Sequence, residues 1–250
     1  MTGIFYFSST GNSLYIAQKI KERLQGRIVY IPNYKEDEAK KFDRIIIVSP
    51  IYSFGLPVQT YELFSKLPQD VKTYVVLNYG GMAGGAGLLT LELAQKYKVN
   101  IRAVYKIKMV ENYTLFISTP KLYNKINLNS ADKKINNIIN AIADDKICLP
   151  KNRKNSHRLY YSNKPNWHLI AENFSVNEKC TACGKCVKIC PVGNIVLNNG
   201  KIQFNDKCTA CLGCYHRCPQ KAIIYKGRNK KYRYINPYID ENDIGKNFDK

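Results

Sequence analysis

Eight cysteines in the last third of the chain have the spacing of thiolate ligands for a metal centre. They form two runs, Cys180-x2-Cys183-x2-Cys186-x3-Cys190 and Cys208-x2-Cys211-x2-Cys214-x3-Cys218, and a proline follows each run. A cubane iron–sulfur cluster needs four thiolates at tetrahedral corners, and a short loop can supply three of them. Zinc is the alternative, but it prefers CxxC pairs separated by a longer loop, often with histidine. The spacing therefore favours iron–sulfur clusters with these eight cysteines as metal ligands.

The two runs are an internal repeat. Glu178-Lys179-Cys180-Thr181-Ala182-Cys183 recurs 28 residues later as Asp206-Lys207-Cys208-Thr209-Ala210-Cys211. Over about residues 176–226 the sequence resembles the bacterial two-cluster ferredoxins, in which the fourth cysteine of each run ligates the other cluster. The resemblance implies a small α+β ferredoxin-like domain with two [4Fe–4S] clusters. Cluster one would take Cys180, Cys183, Cys186 and Cys218, and cluster two would take Cys208, Cys211, Cys214 and Cys190.

A second candidate site is the short polar loop Ser8-Ser9-Thr10-Gly11-Asn12-Ser13, between a predicted strand and a predicted helix. A helix start presents free N–H groups and the positive end of a dipole, and hydroxyls beside it can complete a phosphate cradle. The loop has neither the GK[ST] of a Walker loop nor a GxGxxG pattern. An ordinary capped turn is the alternative, since Ser and Thr are common at helix starts.

The loop resembles the phosphate loop of flavodoxins, and the resemblance covers about residues 1–145. It implies FMN, with the ring held by the loops that follow strands three and four. Those loops are Pro50-Ile51-Tyr52-Ser53-Phe54-Gly55 and the stretch that contains Asn78, Tyr79, Gly80, Gly81 and Gly85. Tyr52 and Tyr79 are candidates for stacking on the ring, and core packing is the alternative for each. Flavodoxins are acidic, whereas the second loop here has no acidic residue, so a raised flavin potential is expected.

Alternating apolar strands and amphipathic helices must position these loops. The predicted strands are Gly3–Phe7, Arg27–Ile31, Arg44–Ser49, Thr73–Leu77 and Ile101–Met109, and the predicted helices are Asn12–Leu24, about Pro57–Leu67, Leu88–Lys98 and Ser130–Asp144. This repeated βα pattern predicts an α/β fold with a doubly wound parallel sheet of flavodoxin-like type. Residues 111–129 have no clear periodicity.

Changes in composition and periodicity along the chain predict four segments. They are a flavodoxin-like FMN-binding domain at 1–146, a basic linker at 147–175, the ferredoxin domain at 176–226 and a C-terminal surface extension at 227–250. Cys148, between Ile147 and Leu149, is expected to be a small buried apolar residue. His216 is expected to lie at the surface or to support the clusters from outside their ligands.

The composition indicates in which compartment the protein lies and what kind of partner it binds. No apolar run approaches the ~20 residues that a membrane helix needs, and the chain opens directly on a strand without a secretory signal, so a cytoplasmic location is expected. The net charge of +20 favours an acidic partner, and a solvated lysine-rich surface is the alternative. Basic stretches interleaved with tyrosines could bind nucleic acid, but an acidic redox protein is the favoured partner.

The two resemblances together are typical of flavodoxin–ferredoxin fusions of anaerobic prokaryotes. They imply an electron carrier that passes electrons between two [4Fe–4S] clusters and FMN. An alternative is a reductase in which the clusters feed FMN and FMN reduces a quinone or a nitro compound. The flavin loops contain no evident acid–base pair, which favours the carrier. A redox-sensing nucleic-acid binder is a third class.

Overall fold

The computed structural model describes residues 1–35, 38–115, 121–151, 158–228 and 232–249, with side chains in these ranges other than 121–123 and 158–159. In the N-terminal half five strands form one parallel sheet, in the order β2-β1-β3-β4-β5. The strands are β1 (Thr2–Tyr6), β2 (Arg27–Tyr30), β3 (Arg44–Pro50), β4 (Lys72–Tyr79) and β5 (Ile101–Lys108). The predicted doubly wound sheet is confirmed, and this strand order places a switch point between β1 and β3.

Apolar side chains on both faces of the central strands explain the layered architecture. In β3 the side chains of Ile45, Ile46, Ile47 and Val48 are all fully buried, as a strand covered by helices on both sides requires. The flanking helices are α1 (Asn12–Leu24), α2 (Val58–Leu63), α3 (Ala86–Tyr97) and α4 (Lys121–Ala143). Helix α1 has its predicted bounds, and its apolar face packs Ile16 and Ile20 into the core.

Helix α4 is longer than predicted. It begins at Lys121 rather than at Ser130, and it therefore occupies much of the region that lacked clear periodicity. Leu128 and Ala131 are buried and extend the apolar stripe of Ile135 and Ile138 by more than a turn. Polar residues between them obscure this spacing in the sequence.

The C-terminal half contains two small antiparallel sheets and several one-turn helices. Strand β6 (Phe174–Val176) pairs with β9 (Ile223–Tyr225), and β7 (Ile195–Asn198) pairs with β8 (Lys201–Phe204). The helices are α5 (Arg158–Asn163), α6 (Leu169–Glu172), α7 (Lys185–Lys188) and α8 (Gly213–Arg217). Phe174, Leu212, Tyr215 and Ile223 form the centre of a small second core.

Two expectations about the segments that join and follow the domains are wrong. The stretch expected to be a loop-like linker contains α5 and α6, and it buries Tyr160 and Trp167 in the main core. The C-terminal segment is not a surface extension, because Tyr234, Asn236 and Ile239 are buried. Aromatic and apolar side chains spaced singly along a polar sequence give no periodic signal, although each fills a pocket.

Residues 232–249 are named the C-terminal strap. The strap contacts the loop after β1, and Phe248 makes two backbone hydrogen bonds with Ile28 of the edge strand β2, at 2.8 and 2.9 Å. Edge strands expose unpaired backbone groups, so the strap protects this edge. Within the described part of the chain, no helix has the length and the apolar character needed to cross a bilayer.

Candidate functional site

A cavity of about 530 Å³ lies where the loops after β3 and β4 approach the start of α1. Its volume is within the range of about 300–1,000 Å³ typical of small-molecule pockets, and it lies at the switch point of the sheet. Ten of the predicted flavin residues line it: Asn12, Pro50, Ile51, Tyr52, Ser53, Phe54, Asn78, Tyr79, Gly80 and Gly81. Ser8, Ser9, Thr10, Gly11, Ser13, Gly55 and Gly85 do not line it.

The polar loop at the start of α1 is buried beside this cavity. Its hydroxyls have intramolecular partners, since Ser8 Oγ accepts from Gly11 N–H at 3.0 Å and Ser13 Oγ accepts from Asn78 Nδ2 at 2.8 Å. Among the described residues, no acceptor pairs with the backbone N–H groups of Asn12 and Ser13. An anion at this helix start would satisfy these donors, so the loop fits a phosphate.

The C-terminal strap closes over this loop. Asn236 N–H donates to Thr10 O at 2.8 Å, and Tyr234 Oη donates to Asn12 Oδ1 at 2.7 Å. Gly11 has a φ of +95°, and a Cβ at this position would lie 3.1 Å from Asn236 Cβ. The strap therefore helps to fix the conformation of the loop.

Tyr52 belongs to a tight turn at the rim of the cavity. The backbones of Tyr52 and Gly55 exchange two hydrogen bonds of 2.9 Å, and Ser53 and Phe54 between them have φ values of 46° and 67°. Two consecutive non-glycine residues in the left-handed region store strain of the kind found at binding sites. Burial raises the pKa of the Tyr52 phenol well above its ordinary value, so the hydroxyl stays protonated.

One wall of the cavity comes from the region expected to be a linker. Trp167 packs edge-on against Tyr52 with ring centroids 6.2 Å apart, and Asn163, Asn166 and Ile170 line the same wall. Buried Tyr160 supports this wall from behind, because its ring lies against Gly55 and its hydroxyl donates to Leu56 O at 2.9 Å. No sequence pattern indicated these residues.

A carboxylate at the second flavin loop was also missed. Glu111 follows β5, lines the cavity and accepts hydrogen bonds from Gly81 N–H at 3.0 Å and from Tyr113 N–H at 2.7 Å. Gly80 has no space for a side chain, since a Cβ there would lie 2.4 Å from Glu111 Cα. The expectation that negative charge is absent from this loop is therefore wrong, because the fold brings a carboxylate from another segment.

The eight cysteines of the two runs line two further cavities, four to each. The first is lined by Cys180, Cys183, Cys186 and Cys218, and the second by Cys190, Cys208, Cys211 and Cys214. The last cysteine of each run thus lies with the first three of the other run, which is the crosswise grouping implied by the ferredoxin resemblance. The ligand assignment itself stays a prediction.

Backbone groups and burial shape both cavities. Asn194 N–H donates to Cys190 Sγ at 3.2 Å, and Ala222 N–H donates to Cys218 Sγ at 3.3 Å. Burial raises the pKa of the Cys211 thiol to about 12, with a further contribution from the charge of Cys208. A thiolate at this position needs compensating positive charge, which an iron core supplies.

The distances between the thiols are relevant to whether each set of four binds a single metal ion or a cluster. Within the described ranges, no group of three or more His, Cys, Asp or Glu side chains is arranged around a single metal ion. A tetrahedral zinc with bonds of about 2.3 Å would need its four sulfurs within roughly 4 Å of one another. A cubane cluster places inorganic sulfide and several irons between its ligands and so takes more widely spaced sulfurs.

We name the cavity lined by Cys190, Cys208, Cys211 and Cys214 the second thiol cavity, and the cavity at the switch point the flavin cavity, after its predicted occupant. These two cavities share a wall. Cys211 and Leu212 line both, and a Cβ on Gly213 would lie 3.4 Å from Ser9 Cβ of the polar loop. Gln59 Nε2 also donates to Thr209 Oγ1 at 3.2 Å across the same contact. The second cysteine run therefore packs directly against the flavodoxin-like half.

His216 connects three parts of the site. It is buried, so the surface alternative for this residue is wrong. Its Nδ1 accepts from Tyr234 N–H at 3.1 Å, and this fixes Nε2 as the donor to Asn112 O at 2.7 Å. The neutral ring thereby ties helix α8 to the strap and to the cavity wall at Asn112. Cys148 lies outside the site and is exposed, so the expectation that it is a small buried apolar residue is wrong.

Comparisons with solved structures identify flavodoxins and related flavoproteins as similar. The two-electron reduced flavodoxin of Megasphaera elsdenii is 18% identical over 54% of this chain and 99% of that chain, with a TM-score of 0.40. A flavodoxin from the domain Archaea is 18% identical over 54% of this chain and 99% of that chain, with a TM-score of 0.38. A flavoprotein from Lactobacillus acidophilus NCFM, in complex with FMN, is 16% identical over 42% of this chain and 91% of that chain, with a TM-score of 0.36. These TM-scores are low, so the fold assignment rests on the strand order and on family models.

Two family models match the chain, and no curated protein does. The matched domains support FMN and a [4Fe–4S] cluster as cofactors and electron transport as the class of function. Residues 3–79 match the flavodoxin domain and residues 152–223 match the 4Fe-4S dicluster domain, so the predicted fusion, with the flavodoxin-like half first, is confirmed.

Proposed function

We propose that this protein is an electron carrier that passes electrons between two [4Fe–4S] clusters and FMN within one chain. The observation that carries the proposal is the position of Cys211, which lines both the second thiol cavity and the flavin cavity. A cluster ligated by Cys211 would be separated from a flavin in the cavity by one layer of side chains. Each cluster supplies one-electron chemistry, and FMN accepts one or two electrons.

The cysteines are proposed to act as ligands in the crosswise sets. Cluster one is assigned to Cys180, Cys183, Cys186 and Cys218, and cluster two to Cys190, Cys208, Cys211 and Cys214. The grouping of the cysteines in two separate cavities supports both sets. The backbone N–H groups that point at Cys190 and Cys218 would stabilise negative charge on the sulfurs.

The flavin cavity divides into an anion end and a ring end. The free N–H groups at the start of α1 would bind the phosphate, and the loops at Tyr52 and Tyr79 would hold the ring. Trp167 and Tyr52 exclude water from one wall. Glu111 fixes the glycine loop by accepting a hydrogen bond from Gly81 N–H, and its negative charge disfavours reduction of a flavin bound nearby.

The carrier is favoured over a reductase of quinones or nitro compounds by the hydrogen bonds of Glu111. Of the described residues that line the cavity, Glu111 is the only carboxylate, and each of its oxygens already accepts a backbone N–H. A carboxylate held in this way orients a loop rather than delivering protons to a substrate. The reductase predicts turnover of a quinone or nitro compound by the reduced protein, which the carrier does not.

Anaerobic reconstitution with iron, sulfide and FMN tests the proposal. We expect about eight irons and one FMN per chain, by the count of sulfur ligands. Cys190→Ser should perturb the electron paramagnetic resonance (EPR) signal of the same cluster as Cys208→Ser does, whereas Cys218→Ser should perturb the other. Cys148→Ser is the matched control and should leave the iron content unchanged. Four irons or fewer in the wild-type chain, or matching effects of Cys190→Ser and Cys180→Ser, would contradict the assignment.

A further inference from the structure

The two cysteine runs differ in how much of their surroundings reaches solvent. Around the first run, Cys183 is exposed, and so are Lys179 and Lys188. Between the cysteines of the second run every residue except the partly exposed Ala210 is buried, including Leu212 and Tyr215. The first thiol cavity therefore faces outward, and the second faces the flavin cavity.

The outward cavity is flanked by positive charge. We name Lys179, Cys183 and Lys188 the docking face, because all three are exposed and each is a cavity cysteine or lies within two residues of one in the sequence. Lys185 lines the same cavity and pairs with Glu241 of the strap. Glu178 is an exposed acid beside this surface, and Lys201 is an exposed cation next to the cavity residue Ile202. The cations outnumber the acids at this surface, in a chain with a net charge of +20.

The mouth of the flavin cavity has a different character. Its carboxylate is Glu111, and Met82 beside it is 73% exposed. Lys108, an exposed cation, pairs with the cavity residue Tyr79, so positive and negative charge are mixed at this mouth. The lysines of the docking face would attract an acidic protein to the first thiol cavity.

We propose that an acidic one-electron redox protein docks on the docking face and exchanges electrons with cluster one. The inference rests on the function proposed above and adds to it the kind of partner and the place of electron exchange. In each encounter with a reduced partner, one electron leaves the partner's reduced centre and reaches cluster one, and it moves inward through cluster two. Two encounters supply two electrons, and one proton from solvent completes the anionic reduced flavin.

Charge reversal at the docking face tests the inference in the fully loaded protein. The probe is a purified acidic bacterial ferredoxin, reduced beforehand and mixed anaerobically in a stopped-flow instrument. The variant Lys179→Glu/Lys188→Glu is compared with Lys133→Glu/Lys134→Glu, which changes the net charge equally at exposed positions of α4. We expect the docking-face variant to lower the second-order rate constant about tenfold at low ionic strength, with a gap that closes as salt is added. The control should change it by about twofold or less.

The outcomes separate this inference from the proposed function. Iron and FMN are counted in every preparation, and Lys179→Gln/Lys188→Gln serves as a milder variant if the reversal reduces cluster content. If the variants contain their clusters and FMN, and the two double variants slow the reaction equally or neither slows it, the docking inference is wrong and the proposed function is unaffected. Flavin reduction that precedes cluster bleaching overturns it as well. A wild-type chain that takes up no clusters contradicts the proposed function and the docking inference together.

Discussion

Removing the ring of Tyr160 should weaken both the fold and the flavin cavity. Tyr160 is fully buried, its hydroxyl donates to Leu56 O at 2.9 Å, and its ring lies 5.8 Å from that of Trp167. The ring also fills the space above Gly55, where a Cβ would come within 2.0 Å of it. It thus supports the strained turn on one side and the tryptophan wall on the other.

The expected size of the effect follows from these contacts. Tyr160→Ala removes a buried aromatic ring, which costs about 3–5 kcal/mol. Tyr160→Phe keeps the ring and removes one hydrogen bond, which costs about 0.5–1.5 kcal/mol. For a chain of this size, each kcal/mol lowers Tm by about 2–4 °C, so we expect losses of about 6–20 °C for alanine and about 1–6 °C for phenylalanine.

Thermal unfolding of the loaded protein and FMN titration measure the two effects. We expect Tyr160→Ala to raise the Kd for FMN at least about tenfold, a cost of about 1.4 kcal/mol, because the wall at Trp167 loses its support. The neighbouring Tyr161, which is 46% exposed, provides the control Tyr161→Ala. Equal losses of Tm at the two positions, or unchanged FMN affinity in Tyr160→Ala, would refute the view that Tyr160 supports the cavity.

Three further changes test other parts of the site. Glu111→Gln should raise the potential of the one-electron couple that forms the anionic reduced flavin by roughly 60–120 mV, since a charge about 6–12 Å away contributes about 1.4–2.8 kcal/mol at an effective dielectric of about 20. A spectroscopic redox titration measures this shift. Arg217 is buried and interacts electrostatically with Cys211, so Arg217→Met, which removes a positive charge, should lower the EPR midpoint of cluster two by about 59 mV, a tenfold shift in its redox equilibrium. Asn236→Ala removes a donor to Asn12 Oδ1 and should cost about 1–3 kcal/mol and speed FMN release, followed by flavin fluorescence.

The parallel sheet and the role of the cysteines as metal ligands could be predicted because local sequence patterns indicate them. The buried run Ile45–Val48 indicates a central strand, and the start of α1 is marked by a polar loop followed by helical periodicity. The doubly wound parallel sheet follows from such patterns, and its flavodoxin-like type follows from the resemblance. The grouping of Cys190 and Cys218 with the opposite runs depended on the ferredoxin resemblance, since spacing alone does not pair them.

The walls of the flavin cavity were not predictable because their contacts span the chain. Tyr234 bonds to Asn12 across 222 residues, and Trp167 packs on Tyr52 from a polar segment without periodicity. Glu111 lies beside the glycine loop only because β5 runs parallel to β4. Contacts of this kind depend on tertiary packing, which overrides the weak local preferences of the segments.

The C-terminal strap sets an order of events in biosynthesis. A ribosome makes Asn12 and its loop before the strap, and domains fold from the N-terminus as they emerge. Until Tyr234 and Asn236 leave the exit tunnel, the helix start at Asn12 has none of the cover that they provide in the finished molecule. The proposed anion site on the nascent chain thus stays uncovered while the iron–sulfur half is translated, and it is covered once the strap has emerged and packed.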